Sequence, residues 1–99
     1  ENRNKIARRS DMQIMIYYCD TWNYEPQARS LRDALKKHWP TGTTIYVEVG
    51  GPGQFDVILL DNNPSGEINY LWRRNDTGRF PEHQEIIDKI ESQEFIEDI

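Results

Sequence analysis

Four segments of this 99-residue chain have the patterns of apolar and β-prone residues that are typical of strands. Residues 12–18 are nearly all apolar and β-prone, which is typical of a strand covered on both faces, and we expect this strand to be central. Residues 43–49 alternate with the two-residue period of a second strand. Residues 55–60 predict a third strand, buried on both sides, and residues 67–72 a fourth. The turn formers between the last two strands indicate a hairpin.

Two other segments repeat their apolar residues at the three- and four-residue steps of a helix. The first helix has Pro26 in its first turn and basic residues in its last turn, and it ends before Pro40. Its apolar stripe is Ala28, Leu31, Leu35 and Trp39. The second helix opens at residues 80–82, and its stripe is Ile86, Ile87 and Ile90. Residues 73–79, which precede it, predict a polar loop.

The predicted order β-α-β-β-β-α indicates an α/β (α+β) fold with a mixed four-stranded sheet and two helices. A strand, a helix and a strand within residues 12–49 predict a right-handed parallel crossover. A chain of this length supports one core, which we place in residues 12–92. We expect residues 1–11 to form a flexible N-terminal arm and residues 93–99 an acidic C-terminal tail.

The charge balance and the apolar runs limit the classes of partner. The chain has 12 basic and 17 acidic residues, a net charge of −5, so on average it repels a phosphate backbone, and we expect no nucleic-acid partner. The longest apolar run, residues 57–60, is far shorter than the roughly 20 residues of a membrane span. The spacing of histidine and cysteine matches no metal site, and we expect neither metal nor cofactor.

Cys19 is the only cysteine and the candidate for chemistry. A lone cysteine forms no internal disulfide, so we expect an intracellular setting, either the cytosol or an organelle such as the mitochondrion. Cys19 follows the first strand and precedes a loop and a helix. The residue three positions later, which would complete a Cys-x-x-Cys pair, is Trp22.

This arrangement resembles the thioredoxin-like Rdx family, which includes selenoproteins W, T and H. Three stretches carry the resemblance, residues 17–22, 50–57 and 79–87, and it covers about residues 12–92. The resemblance implies a thioredoxin-like fold and thiol or selenol redox chemistry with glutathione or protein thiols. It implies Cys19 as the catalytic thiol and five residues as loop or partner contacts: Asp20, Thr21, Trp22, Pro52 and Gly53. Position 22, however, is where the family places selenocysteine or cysteine.

The missing second chalcogen leaves the activity open between two classes. The first is a binding or structural module with protein partners, within a larger assembly, in which Cys19 is a half-buried apolar residue. The second is an oxidoreductase-like protein that exchanges with glutathione or protein thiols through Cys19 alone. The negative charges of Asp20 and Glu25 oppose a thiolate there. A variant of the second class is a selenoprotein whose UGA codon is rendered as Trp22.

Overall fold

The computed structural model describes residues 12–63 and 65–93. The strands are β1 (Met12–Tyr18), β2 (Thr43–Val49), β3 (Phe55–Leu59) and β4 (Asn69–Arg73), and the helices are α1 (Glu25–His38), α2 (Arg74–Thr77) and α3 (His83–Glu91). The four-stranded sheet has the order β2-β1-β3-β4. β1 pairs parallel with β2 and antiparallel with β3, and β3 pairs antiparallel with β4. The predicted mixed sheet with a central first strand is therefore confirmed.

The two inner strands differ in how they are buried. All five residues of β3 are buried, as predicted, whereas Leu60, the last residue of the predicted strand, lies beyond β3 and is exposed. In β1, alternate residues are buried, whereas Gln13 is exposed and Met15 and Tyr17 are half-buried, so the prediction that both faces are covered was wrong for this strand. Thioether and phenol groups tolerate partial exposure, and an apolar run of such residues therefore does not require a second covering layer.

Helix α1 packs on the sheet through the predicted stripe. Ala28, Leu31 and Leu35 are buried, and Pro26 lies in the first turn, where its missing N–H leaves no hydrogen bond unmade. At the other end, the Lys36 ammonium group donates a 2.7 Å hydrogen bond to the Thr43 carbonyl of β2. This contact fixes the end of α1 against the start of the strand that follows it.

Helix α3 begins with a charged brace at its N-terminus. The Glu85 carboxylate accepts a 2.8 Å hydrogen bond from the Glu82 N–H and two from the Arg79 guanidinium, at 2.9 and 2.7 Å. These bonds, chiefly those from Arg79, lower the pKa of Glu85 to about 2. The brace orients α3 so that its isoleucine stripe, Ile86, Ile87 and Ile90, is buried as predicted.

Helices α1 and α3 run parallel, and two histidine contacts connect them. Ser30 and His83 share a 3.1 Å hydrogen bond, and His38 lies 3.0 Å from the Glu91 carboxylate. Both pairs are 53 residues apart in sequence, so the two helices stay in register over two turns. This arrangement holds the start of α1 close to the start of α3.

The region between β3 and α3 departs most from the prediction. β4 begins at Asn69 rather than at residue 67, and it continues to Arg73. The predicted polar loop at 73–79 contains the short helix α2, which ends at Gly78 in the left-handed conformation (φ 78°). The Trp72 indole N–H donates a 3.0 Å hydrogen bond to the Arg79 carbonyl and so attaches this segment to the core.

The predicted arm, residues 1–11, and all of the predicted tail except Gln93 lie outside the described residues. Within residues 12–63 and 65–93, α1 is the longest helix. Neither it nor the other helices of that part have the length and hydropathy that a bilayer-spanning helix requires.

Candidate functional site

Cys19 lies directly after β1 and is completely buried, with an exposed fraction of 0%. Its Sγ accepts a hydrogen bond from the Trp22 N–H at 3.3 Å, and its carbonyl accepts one from the Tyr24 N–H at 2.9 Å. The thiol is therefore enclosed by its own loop. The first of the two predicted classes had a half-buried Cys19, and the structure shows a more enclosed one.

The loop that follows Cys19 keeps the thiol away from the helix. The Asn23 N–H bonds to the Asp20 carbonyl at 3.0 Å, and Asn23 has a left-handed backbone with φ 61°. This turn delays the start of α1 to Glu25. The thiol therefore lies outside the first turn of α1, which begins six residues after Cys19.

Trp22 has the opposite environment, since 58% of its surface is exposed. One edge of its ring lies against Gly53, where a methyl group added to the Cα atom would come within 2.9 Å of the indole Cζ3 atom. Gly53 also has φ +74°, a conformation that side chains other than glycine disfavour. Glycine is thus required at this position both by its backbone and by the Trp22 ring.

Gln54 braces the turn that supports Trp22. Its Oε1 accepts a 2.7 Å hydrogen bond from the Gly51 N–H, and its Nε2 donates a 2.8 Å bond to the buried Asp56 carboxylate. Its backbone N–H adds a 3.1 Å bond to the Gly51 carbonyl. The turn is therefore held to β3 by side-chain hydrogen bonds.

A chain of edge-to-face aromatic contacts leads from Trp22 into the core. The Trp22 and Tyr24 ring centroids lie 6.2 Å apart, those of Tyr24 and Phe80 lie 4.7 Å apart, and those of Phe80 and Phe55 lie 5.1 Å apart. The Arg74 guanidinium lies over both Tyr24 and Phe80, 5.1 and 5.0 Å from their centroids. These contacts rigidify the base of the loop.

Next to this cluster is a pocket of about 290 Å³ between α1 and the segment before α3. Its apolar walls are Pro26, Leu31, Phe55, Phe80 and Pro81. Its polar lining comes from Gln27, Ser30 and His83, and the last two are hydrogen-bonded to each other. Among the described residues, no three histidine, cysteine or acidic side chains are grouped as they would be to hold a metal ion.

Negative charge gathers at this end of the sheet. Glu25 pairs with Arg29 at 2.6 Å, whereas Asp20 and Glu48 are exposed and make no ion pair within residues 12–63 and 65–93. Burial raises the pKa of Tyr18, and the carboxylates of Glu25, Asp20 and Glu48 raise it further, with Arg29 acting in the opposite direction.

The structure brings two of the predicted contact residues together, since Trp22 of the Cys19 loop lies against Gly53 of the turn at residues 50–53. Pro52 and Thr21 are both exposed beside them. Val49 was not predicted here, although it is 57% exposed and pairs with Tyr18 at the ends of the parallel strands. Val49 lies beside Tyr18 because β1 and β2 are parallel and end at the same edge of the sheet, as the predicted parallel crossover requires. Trp22, Val49 and Pro52 are called the Trp22 surface below.

The described residues have the order β-α-β-β-β-α-α, so the short helix α2 adds a third helix to the two predicted. A mixed sheet of order β2-β1-β3-β4 with a cysteine at the first strand–helix junction is the arrangement of a thioredoxin-like domain. The chain belongs to the Rdx family, whose model matches residues 13–92. The resemblance noted in the sequence is thereby confirmed.

Two solved structures share the fold. A protein of Bordetella parapertussis is 19% identical with a TM-score of 0.68, over 82% of this chain and 95% of that one. A selenoprotein W-related protein of Vibrio cholerae is 20% identical with a TM-score of 0.65, over 82% of this chain and 94% of that one. At these identities the likeness establishes the fold alone. Among curated proteins, none matches the chain.

Proposed function

We propose that this Rdx domain is a protein-binding module whose contact residue is Trp22, and that Cys19 has a structural role. The observation that carries the proposal is the contrast in exposure across the loop. The sulfur is completely enclosed, whereas the residue in the position of the second chalcogen is 58% exposed. A thiol exchanges only when its thiolate can reach another sulfur, and an enclosed Cys19 lacks that access.

The support behind Trp22 fits a role in binding. Tryptophan is enriched at the energetic centres of protein interfaces, where a large rigid ring contributes area at small entropic cost. Trp22 is held from below by Gly53 and from the side by Tyr24. An exposed ring fixed in this way presents a preformed flat surface to a partner.

The reactivity of Cys19 tests the proposal. Because the chain has one cysteine, the rate of alkylation by iodoacetamide reports on Cys19 alone. We expect alkylation of the native protein to be at least about 100-fold slower than that of the urea-unfolded chain, since the thiol reacts only after local opening. A native rate close to the unfolded rate would overturn the structural role of Cys19.

A matched control uses the exposed neighbour Thr21. A Thr21→Cys, Cys19→Ser double variant carries its only thiol two positions further along the same loop. We expect this thiol to react in the native state nearly as fast as in the unfolded chain. The comparison separates enclosure of Cys19 from a general effect of the loop on the reagent.

A second candidate function is redox exchange, and one contact favours it. The Trp22 N–H donates a hydrogen bond to the Cys19 Sγ, so the backbone of position 22 is already in contact with the sulfur. If position 22 is natively selenocysteine, the selenium atom would lie on the same residue that donates this hydrogen bond to Cys19. The intact mass of the native protein and the sequence of the codon at position 22 distinguish tryptophan from selenocysteine. A mass that fits tryptophan removes the selenoprotein alternative.

A further inference from the structure

We propose that the Trp22 surface binds a basic segment of a partner protein in which lysine or arginine alternates with apolar residues. This inference rests on the proposed function and specifies the chemistry of the partner. It combines an exposed apolar centre with unpaired carboxylates at its border.

The apolar centre lies where two strands end and a turn begins. Trp22 is 58% exposed and lies against Gly53, and the preceding Pro52 is exposed too. Val49, at the end of β2 before this turn, is 57% exposed. Val49 is followed by Gly50, whose N–H bonds to the Tyr18 carbonyl at 2.7 Å, so the strand end is fixed next to the Cys19 loop. Apolar residues supported this rigidly are suited to contact with another protein.

The acidic residues next to the Trp22 surface determine which charge a partner should carry. Asp20 lies in the loop of Trp22 and Glu48 lies near the end of β2, and both carboxylates are close enough to Tyr18 at the end of β1 to raise its pKa. Neither carboxylate has an ion pair in the part of the chain that the structure describes. Two nearby cations are already engaged, since Arg29 is paired with Glu25 and Arg74 is stacked over Tyr24 and Phe80. A positively charged partner would therefore gain attraction here, and a negatively charged one would be repelled.

Tryptophan itself favours a cationic partner. A lysine or arginine head group within about 6 Å of an indole ring is attracted to its face, and the aliphatic stem covers apolar surface at the same time. Charge repulsion disfavours a second copy of this chain as the occupant. The chain carries a net charge of −5, and the acidic residues of the two copies would face each other.

The test uses a short synthetic peptide of alternating lysine and leucine, and a second peptide in which glutamate replaces lysine. Binding to the full chain is followed by NMR at the Trp22 indole N–H, which a Trp22→Phe variant identifies among the three tryptophans. We expect the lysine peptide to shift this signal in a saturable and salt-sensitive way, and the glutamate peptide to leave it unchanged.

Variants at the two ends of the sheet provide matched controls. Trp22→Ala should weaken lysine-peptide binding at least about tenfold. Ile68→Ala, at an equally exposed residue by the opposite hairpin (58%), should leave it unchanged. Asp20→Asn and Glu48→Gln should each weaken binding about 1.5- to 5-fold, whereas Glu67→Gln beside Ile68 should not.

Three results would overturn the inference. Equal binding of both peptides would show that the border charges do not select the partner, although a binding function would stand. Absence of a Trp22 shift with either peptide would show that this surface takes no such segment. Dimerisation of the chain alone, abolished by Trp22→Ala, would identify a second copy as the occupant. The proposed function fails separately, by rapid alkylation of native Cys19.

Discussion

Replacement of Gly53 by alanine is the most direct perturbation of the contact that supports Trp22. Two costs act at this position. The left-handed backbone at φ +74° is unfavourable for alanine by about 1–2 kcal/mol. The new methyl group would also stand 2.9 Å from the indole ring, closer than carbon atoms approach in folded proteins. The ring must therefore rotate away from its present position.

Gly66→Ala separates these two costs. Gly66 has nearly the same backbone (φ +84°), but an added methyl group there meets nothing within 4 Å. Both variants should lose about 1–2 kcal/mol of unfolding free energy through the backbone alone. Displacement of Trp22 into a less favourable rotamer adds about 0.5–1.5 kcal/mol, and only for Gly53→Ala.

Urea unfolding monitored by circular dichroism measures the free energies, and the Trp22 indole NMR signal measures the ring position. We expect Gly53→Ala to be the less stable variant and to be the only one that shifts this signal. Equal stability of the two variants, with the Trp22 signal unmoved in both, would refute the claim that Gly53 positions Trp22.

Two further predictions concern the segment before α3. Since Arg79 lowers the pKa of Glu85 to about 2, this carboxylate stabilises the fold above its ordinary pKa of 4.5, and the contribution is lost as the pH falls towards 2. Glu85→Gln should thus be clearly less stable than the wild type in urea titrations at about pH 6 and nearly equal at about pH 2; a gap independent of pH would contradict this. Trp72→Phe should cost about 1–3 kcal/mol, because it removes the hydrogen bond to the Arg79 carbonyl and leaves space in the core. Trp39→Phe, at a half-buried ring, should cost less, and equal costs in thermal or urea unfolding would speak against that hydrogen bond.

The strands and long helices could be predicted from the sequence wherever one period of apolar residues dominated. The bounds of β2 agree with the predicted residues 43–49, and the stripe of α1 is buried as expected. Helix α2 could not be predicted in this way, because its four residues are polar and none is buried. Helix α2 ends at Gly78, which has a left-handed backbone, and it also contacts the neighbouring strands β3 and β4. These contacts with the strands form only in the folded chain.

The candidate site was predictable in part. The position of Cys19 after β1 followed from the local pattern, and the resemblance to the Rdx family grouped Pro52 and Gly53 with the Cys19 loop. The bracing by Gln54 could not be predicted, since a single amide between Gly51 and Asp56 leaves no periodic signal. Complete burial of Cys19 also escaped prediction, because contacts such as the one from the Trp22 N–H to the sulfur form only in the folded loop and leave no periodic signal.

The bond from Lys36 to the Thr43 carbonyl has a consequence for the outer border of the sheet. Among the described strands, β2 has a neighbour on one side only, and the adjacent Gly42 carbonyl accepts the Met12 N–H, so the Thr43 carbonyl points outward. A strand of another molecule could not pair with the Thr43 carbonyl, because this acceptor is already hydrogen-bonded to Lys36. Because unprotected border strands invite edge-to-edge aggregation, Lys36 acts as a gatekeeper against it.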